Sequence, residues 1–108
     1  MAYEIVLTAL ADPTRRHILE TLRHAPHSVG EIAARQSVSR PAVSQHLRVL
    51  EQARLVTVQK RGTRRYYHVQ SQGLRDLRHY IDGFWDDVLT AFSDHVETRS
   101  GENHEQSD

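Results

Sequence analysis

The sequence predicts a mostly helical α+β domain of about five helices and one two-stranded β-hairpin. Three observations carry that expectation. Asp12, Ser28 and Ser39 each stand just ahead of an apolar run at helical spacing, as helix-capping residues do. Two stretches rich in Val, Thr and Tyr flank Gly62 and read as paired strands. From Leu74 to Val96 apolar residues recur at intervals of three and four, the period of one long amphipathic helix.

Each element can be justified in chain order. Tyr3 to Leu10 forms a short helix whose apolar residues are Ile5, Val6, Ala9 and Leu10. Asp12 followed by Pro13 supplies an N-cap and a proline at the first helical position, opening a helix that turns Ile18, Leu19 and Leu22 inward. Ser28 precedes Glu31 by three residues, the spacing of a capping box, so a third helix starts near Val29 and should stop near Gln36. Ser39 caps the fourth helix, with Pro41 in its first turn and Val38 placed to pack on Val43 as a hydrophobic staple. Val43, Leu47 and Leu50 make its apolar stripe and leave Ser39, Arg40, Pro41, Ser44, Gln45 and Arg48 outside. Strands are expected over Leu55 to Lys60 and Arg65 to Val69, joined through Arg61, Gly62, Thr63 and Arg64. The last helix should run from Leu74 to about Glu97, and a helix of about 24 residues spans roughly 36 Å. That is longer than a domain of this size covers alone, so its apolar face is expected to meet a second copy. The residues assigned to that interface are Ile5, Leu74, Leu77, Ile81, Phe84, Trp85, Val88, Leu89 and Phe92.

The outer face of the fourth helix is rich in donors suited to base edges. In the major groove Arg bonds guanine O6 and N7, Gln bonds adenine N6 and N7, and Ser serves either role. Gln45 and Arg48, three residues apart, are neighbours on that face. The hairpin tip adds Lys60, Arg61, Thr63, Arg64 and Arg65, a concentration of charge that repels itself unless a polyanion lies beside it. A surface helix with polar residues is by itself an ordinary solvated face. The hairpin beside it turns the balance toward double-stranded DNA.

Charge distribution sharpens this reading. The chain has 14 Lys plus Arg and 14 Asp plus Glu, a neutral total that conceals strong segregation. From Arg35 to His68 there are eight basic residues and one acid, a net of +7, whereas Val69 to Asp108 carries three basic residues and nine acids, a net of −6. The positive field belongs to the helix-turn-helix and its hairpin, the footprint of a DNA-binding face backed by an acidic body.

Other bounds are brief. The 108 residues suit one domain, expected over 1–97, with a polar tail at 98–108 expected to be disordered. Having no cysteine, the chain has no disulfide, thiolate metal site or thiol nucleophile. The start, MAYEIVLTALADPTRR, has no export pattern, and Asp76, Asp82, Asp86, Asp87 and Asp94 exclude a membrane-spanning last helix, so a cytoplasmic protein is expected. No nucleophile elbow, phosphate loop or ligand cluster supports an enzyme, and no cofactor is expected. His46 is read as a packing or phosphate-touching residue, and His17 as a core or interface histidine.

The span from about Leu7 to Val96, with DPTRR, PAVSQHLRVL and RGTRRYY in that order, resembles the ArsR/SmtB family of bacterial winged helix-turn-helix repressors. The resemblance implies a dimer built from the first and last helices, operator binding that represses transcription, and often release by a metal ion or another signal. Metal sensors of that family commonly carry a Cys-x-Cys in or near the first reading helix, which here is EIAARQ, and their other common site, on the last helix, has a spacing that Asp76, His79, Asp82, Asp94, His95 and Glu97 do not reproduce. The resemblance is therefore closest to the cysteine-free branch, with no metal site assigned and the inducer unknown. Arg54 stands where the family usually has Gly in a left-handed turn, so either the chain tolerates strain there or the helix ends differently. Two alternatives to the dimeric repressor are a winged-helix module that binds protein through its acidic last helix and a metal-responsive repressor using His and Asp of that helix.

Overall fold

An α-helix leaves its first N–H groups and last C=O groups without internal partners, so the side chains that satisfy them set its limits. In a computed structural model, which describes residues 2–102 with side chains through residue 96, those limits fall largely where the capping residues place them. The elements in order are α1 (Ala2–Leu10), α2 (Pro13–Leu22), α3 (Val29–Gln36), α4 (Arg40–Gln52), β1 (Val56–Arg61), β2 (Arg64–Val69) and α5 (Ser71–Glu102).

Asp12 accepts from the Thr14 and Arg15 N–H groups at 2.8 and 3.1 Å and opens α2. At α3 the capping box closes in both directions: Ser28 N–H donates to Glu31 Oε1 at 2.8 Å and Glu31 N–H to Ser28 Oγ at 3.3 Å. Ser39 Oγ accepts from Ala42 N–H at 3.3 Å, which starts α4. The turn between α3 and α4 reverses the chain through Ser37, which takes a left-handed conformation at φ 55°.

The chain divides into two units, Met1–Leu77 and Arg78–Asp108. In the first, one core joins Val6 and Ala9 of α1, Ile18 and Leu22 of α2, Ile32 of α3, and Val43, Leu47 and Leu50 of α4. Ala53, Leu55, Val56 and Tyr67 extend it under the hairpin, and Leu19, Ala33, Val38 and Leu77 pack against it partly buried. Every fully buried residue of this core is apolar or aromatic, so burial rather than polar pairing holds α3 and α4 on their scaffold. The strands pair antiparallel from Val56 opposite Val69 to Arg61 opposite Arg64. His27 clamps the base of the hairpin: its N–H donates to Tyr67 O at 3.0 Å and its carbonyl accepts from Tyr67 N–H at 2.8 Å.

Several expectations need correction. The hairpin is tighter than the sequence implied, because Arg61 and Arg64 are strand residues and only Gly62 and Thr63 turn. Gly62, at φ 63°, occupies the first turn position, where a two-residue type II′ hairpin requires a positive φ. Leu55 precedes β1 as a buried connector. Helix α5 begins at Ser71 rather than Leu74 and continues to Glu102 rather than Glu97, taking in the first residues of the expected tail. The rest of that tail, 103–108, lies outside the described residues. Arg54 does adopt the left-handed conformation, at φ 59°, so the chain tolerates the strain. His17 is exposed on α2 and is no core residue.

Within the second unit, the described part of α5 presents Ile81, Phe84, Trp85, Val88, Leu89, Phe92 and Val96 to solvent, with Phe84 60%, Trp85 57% and Phe92 64% exposed. Tyr80 and Phe84 rings lie 6.4 Å apart. Among the described residues no helix is long and apolar enough to cross a membrane.

Candidate nucleic-acid interface

The amphipathic division of α4 is as the sequence anticipates. Val43, Leu47 and Leu50 are buried, while Pro41, Ser44, Gln45 and Arg48 are exposed on the side away from them. His46 is half-buried at the edge, with Nδ1 3.5 Å from Arg15 Nη1; it accepts there when the ring carries its proton on Nε2. Lys60, Arg61, Thr63, Arg64 and Arg65 are all exposed on the hairpin. The Arg61 guanidinium sits 5.6 Å over the Tyr66 ring, a cation–π contact that steadies one tip charge.

Arg40 departs from the group to which its exposure assigns it. It precedes Val43 by three residues and Leu47 by seven, which places it above the buried stripe, on the side facing α3. A Cβ at Gly30 would lie 2.9 Å from Arg40 Nη2 and 3.2 Å from its Cζ, so the guanidinium rests against the first turn of α3. Ser28, Val29, Gly30, Glu31, Ala34, Arg40, Arg64 and Arg65 together line an open groove of about 540 Å³ between α3 and the hairpin. Its one acid, Glu31, is held below the usual carboxylate range by the Ser28 backbone N–H, then by the Ser28 hydroxyl, against an opposing desolvation, with His27 and Arg64 adding lesser lowering effects.

A second set of arginines has a structural task that sequence reading missed. Arg15 Nε donates to Ala9 O at 2.7 Å and Nη2 to Thr8 O at 3.1 Å, and Arg16 Nη1 donates to Leu10 O at 2.7 Å and Ala11 O at 3.2 Å. These carbonyls end α1, so the paired arginines of α2 cap the preceding helix. Gly73 was also missed. Its N–H donates to Arg54 O at 2.8 Å, and a Cβ there would stand 2.3 Å from Ala53 O, so only glycine lets α5 start against the end of α4. Among the described residues no three His, Asp or Glu side chains converge as metal ligands.

Comparison with known proteins bears on this arrangement directly. The model of the arsR family of bacterial regulatory proteins matches residues 12–58, the segment holding α2, α3, α4 and the start of β1. The HTH-type transcriptional regulator Rv2034 of Mycobacterium tuberculosis is 51% identical over 90 residues, covering 83% of this chain and 84% of that one. The chain belongs to the ArsR family. This ArsR-family protein is a winged helix-turn-helix, DNA-binding transcriptional regulator and not an enzyme. It is also similar to the transcriptional repressor SdpR of Bacillus subtilis, 34% identical over 79 residues, which are 73% of this chain and 88% of SdpR. Among solved structures it resembles the homodimeric winged helix-turn-helix DNA-binding domain Mb0332 of Mycobacterium bovis, with TM-score 0.65 and 27% identity, covering 80% of each chain. In this winged helix-turn-helix, α3 and α4 form the helix-turn-helix and the hairpin is the wing.

Proposed function

We propose that this regulator is a cytoplasmic homodimeric repressor whose two recognition helices occupy successive major grooves of one operator. In this reading Gln45 and Arg48 contact base edges, with Ser39, Pro41 and Ser44 beside them. Lys60, Arg61, Thr63, Arg64 and Arg65 hold the sugar-phosphate backbone. The observation that carries the dimer is the apolar row on α5: Ile81, Phe84, Trp85, Val88, Leu89 and Phe92 are between 42% and 64% exposed in the single chain. Side chains of this size lying in one row mark an association surface. Ile5 of α1, 52% exposed, and Leu74 of α5, 39% exposed, supply further apolar surface for the partner, while Leu77 lends support from its partly buried place against the core. The homodimeric Mycobacterium bovis domain and the repressor SdpR support the same assembly and the same direction of control. No inducer is assigned, and no metal is invoked.

Sedimentation equilibrium of the wild-type chain and of Phe84→Asp tests the reading. The wild type should be dimeric. The variant should be monomeric and, having lost the second reading head, bind DNA at least about 100-fold more weakly. A monomeric wild type that binds DNA as tightly as the variant would reject the dimer.

A further inference from the structure

The groove between α3 and the wing has features that a base-reading surface does not need. Arg40, Arg64 and Arg65 line it from two elements, α4 and β2, and among the described residues none of their three guanidinium groups donates a hydrogen bond or lies within 4 Å of a carboxylate. The acid that shares the groove, Glu31, is engaged by the Ser28 N–H at 2.8 Å, so its charge is already met by the capping box. Three guanidinium groups beside one engaged carboxylate leave a net positive cleft open to solvent. A Cβ at residue 30 would come within 2.9 Å of Arg40 Nη2, the far end of a flexible side chain, so glycine lets the guanidinium lie against α3 and a side chain there would shift it.

We propose that Arg40, seated on Gly30, forms with Arg64 and Arg65 a clamp for one phosphate of the DNA backbone, and that Arg40 is not a base-reading residue. The proposal rests on the DNA-binding reading above and deepens it by separating the two tasks. Gln45 and Arg48 face the groove floor from the outer side of α4, whereas Arg40 faces α3 and the wing and meets the strand at the groove wall. Guanidinium groups suit this because their fork of donors matches phosphate oxygens in pairs. Gly30 acts as a positioning residue, through Arg40 alone.

The test measures affinity against salt for the wild type, Arg40→Ala, Gly30→Ala and the double variant. Two duplexes of equal length are used, one selected from a random pool by the wild-type chain and one of mixed sequence. Arg40→Ala should weaken both duplexes by the same factor, about 3- to 10-fold, and flatten log K against log salt by about 0.9 for each phosphate no longer neutralised. Gly30→Ala should weaken binding in the same sense while melting at the same temperature or higher, because alanine is the better helix former. Combining the two should cost no more than Arg40→Ala alone. An Arg40→Ala protein that loses only its preference for the selected duplex overturns the proposal, since that is the behaviour of a base reader. So does an unchanged salt slope, a Gly30→Ala protein that binds like wild type, or additive effects in the double variant. A wild-type chain that binds neither duplex overturns the DNA-binding reading itself at the first step, and the clamp with it.

Discussion

At the scale of single residues, Arg54 shows how the chain reaches its fold at a cost. Its φ of 59° closes α4 and turns the backbone toward the wing. A side chain in the left-handed region is strained by roughly 1–2 kcal/mol, part of which glycine would give back as unfolded-state entropy. Arg54→Gly should therefore raise stability by about 0.5–1 kcal/mol, seen as a higher urea midpoint with an unchanged slope. Asp12 makes a different prediction. Its carboxyl is held below the usual range chiefly by the Arg15 backbone N–H, with Thr14 N–H and the Arg15 charge adding to this against a desolvation that raises it. Because folding lowers this pKa, and that of Glu31, the stability they contribute is complete above about pH 5 and is lost as pH falls through and below the ordinary carboxylate range. Asp12→Asn keeps a capping oxygen but cannot titrate, so its melting temperature should fall less steeply than wild type between about pH 5 and 3. Caps of this kind were legible in the sequence because Asp12, Ser28 and Ser39 act within three residues of themselves. Gly30, Gly73 and Arg15 were not, since each answers to a group brought near only by tertiary packing.

Among elements, the arginine pair of α2 is the least conspicuous and the most consequential. The carbonyls at the end of α1 find their donors on Arg15 and Arg16, five to seven residues further on. Arg15→Ala removes two charge-assisted hydrogen bonds from a side chain only 16% exposed, and should destabilise the fold by about 2–3 kcal/mol. Hydrogen exchange should show the effect first in α1, and equal protection of α1 in variant and wild type would refute the capping role. The helix order, the buried stripe of α4 and the strand pair follow from periodicity, which is why they were readable in advance. The hairpin tip was drawn too long because four polar or glycine residues look alike as a loop. Only the positive φ of Gly62 fixes a two-residue turn that draws Arg61 and Arg64 into the strands. Similarly, the ends of α5 escaped detection because Ser71 and Gln72 carry no apolar signal, and the polar residues beyond Val96 have no stripe to continue.

For the whole molecule, the proposed dimer ties the segregation of charge in the sequence to the apolar row that a single chain leaves exposed on α5, giving each of two copies one positive reading head. Two-fold symmetry in the protein must then appear in the DNA, with half-sites one helical turn, about 34 Å, or a multiple of it apart. In the proposed reading, base discrimination of about 1–3 kcal/mol falls to each of Gln45 and Arg48. Selection of bound sequences from a random DNA pool, run in parallel with wild type and Arg48→Ala, tests this most directly. An inverted repeat at that spacing, with one base pair in each half-site relaxed by Arg48→Ala, is the predicted result. A site without two-fold symmetry, or a pool enriched identically by both proteins, would contradict it.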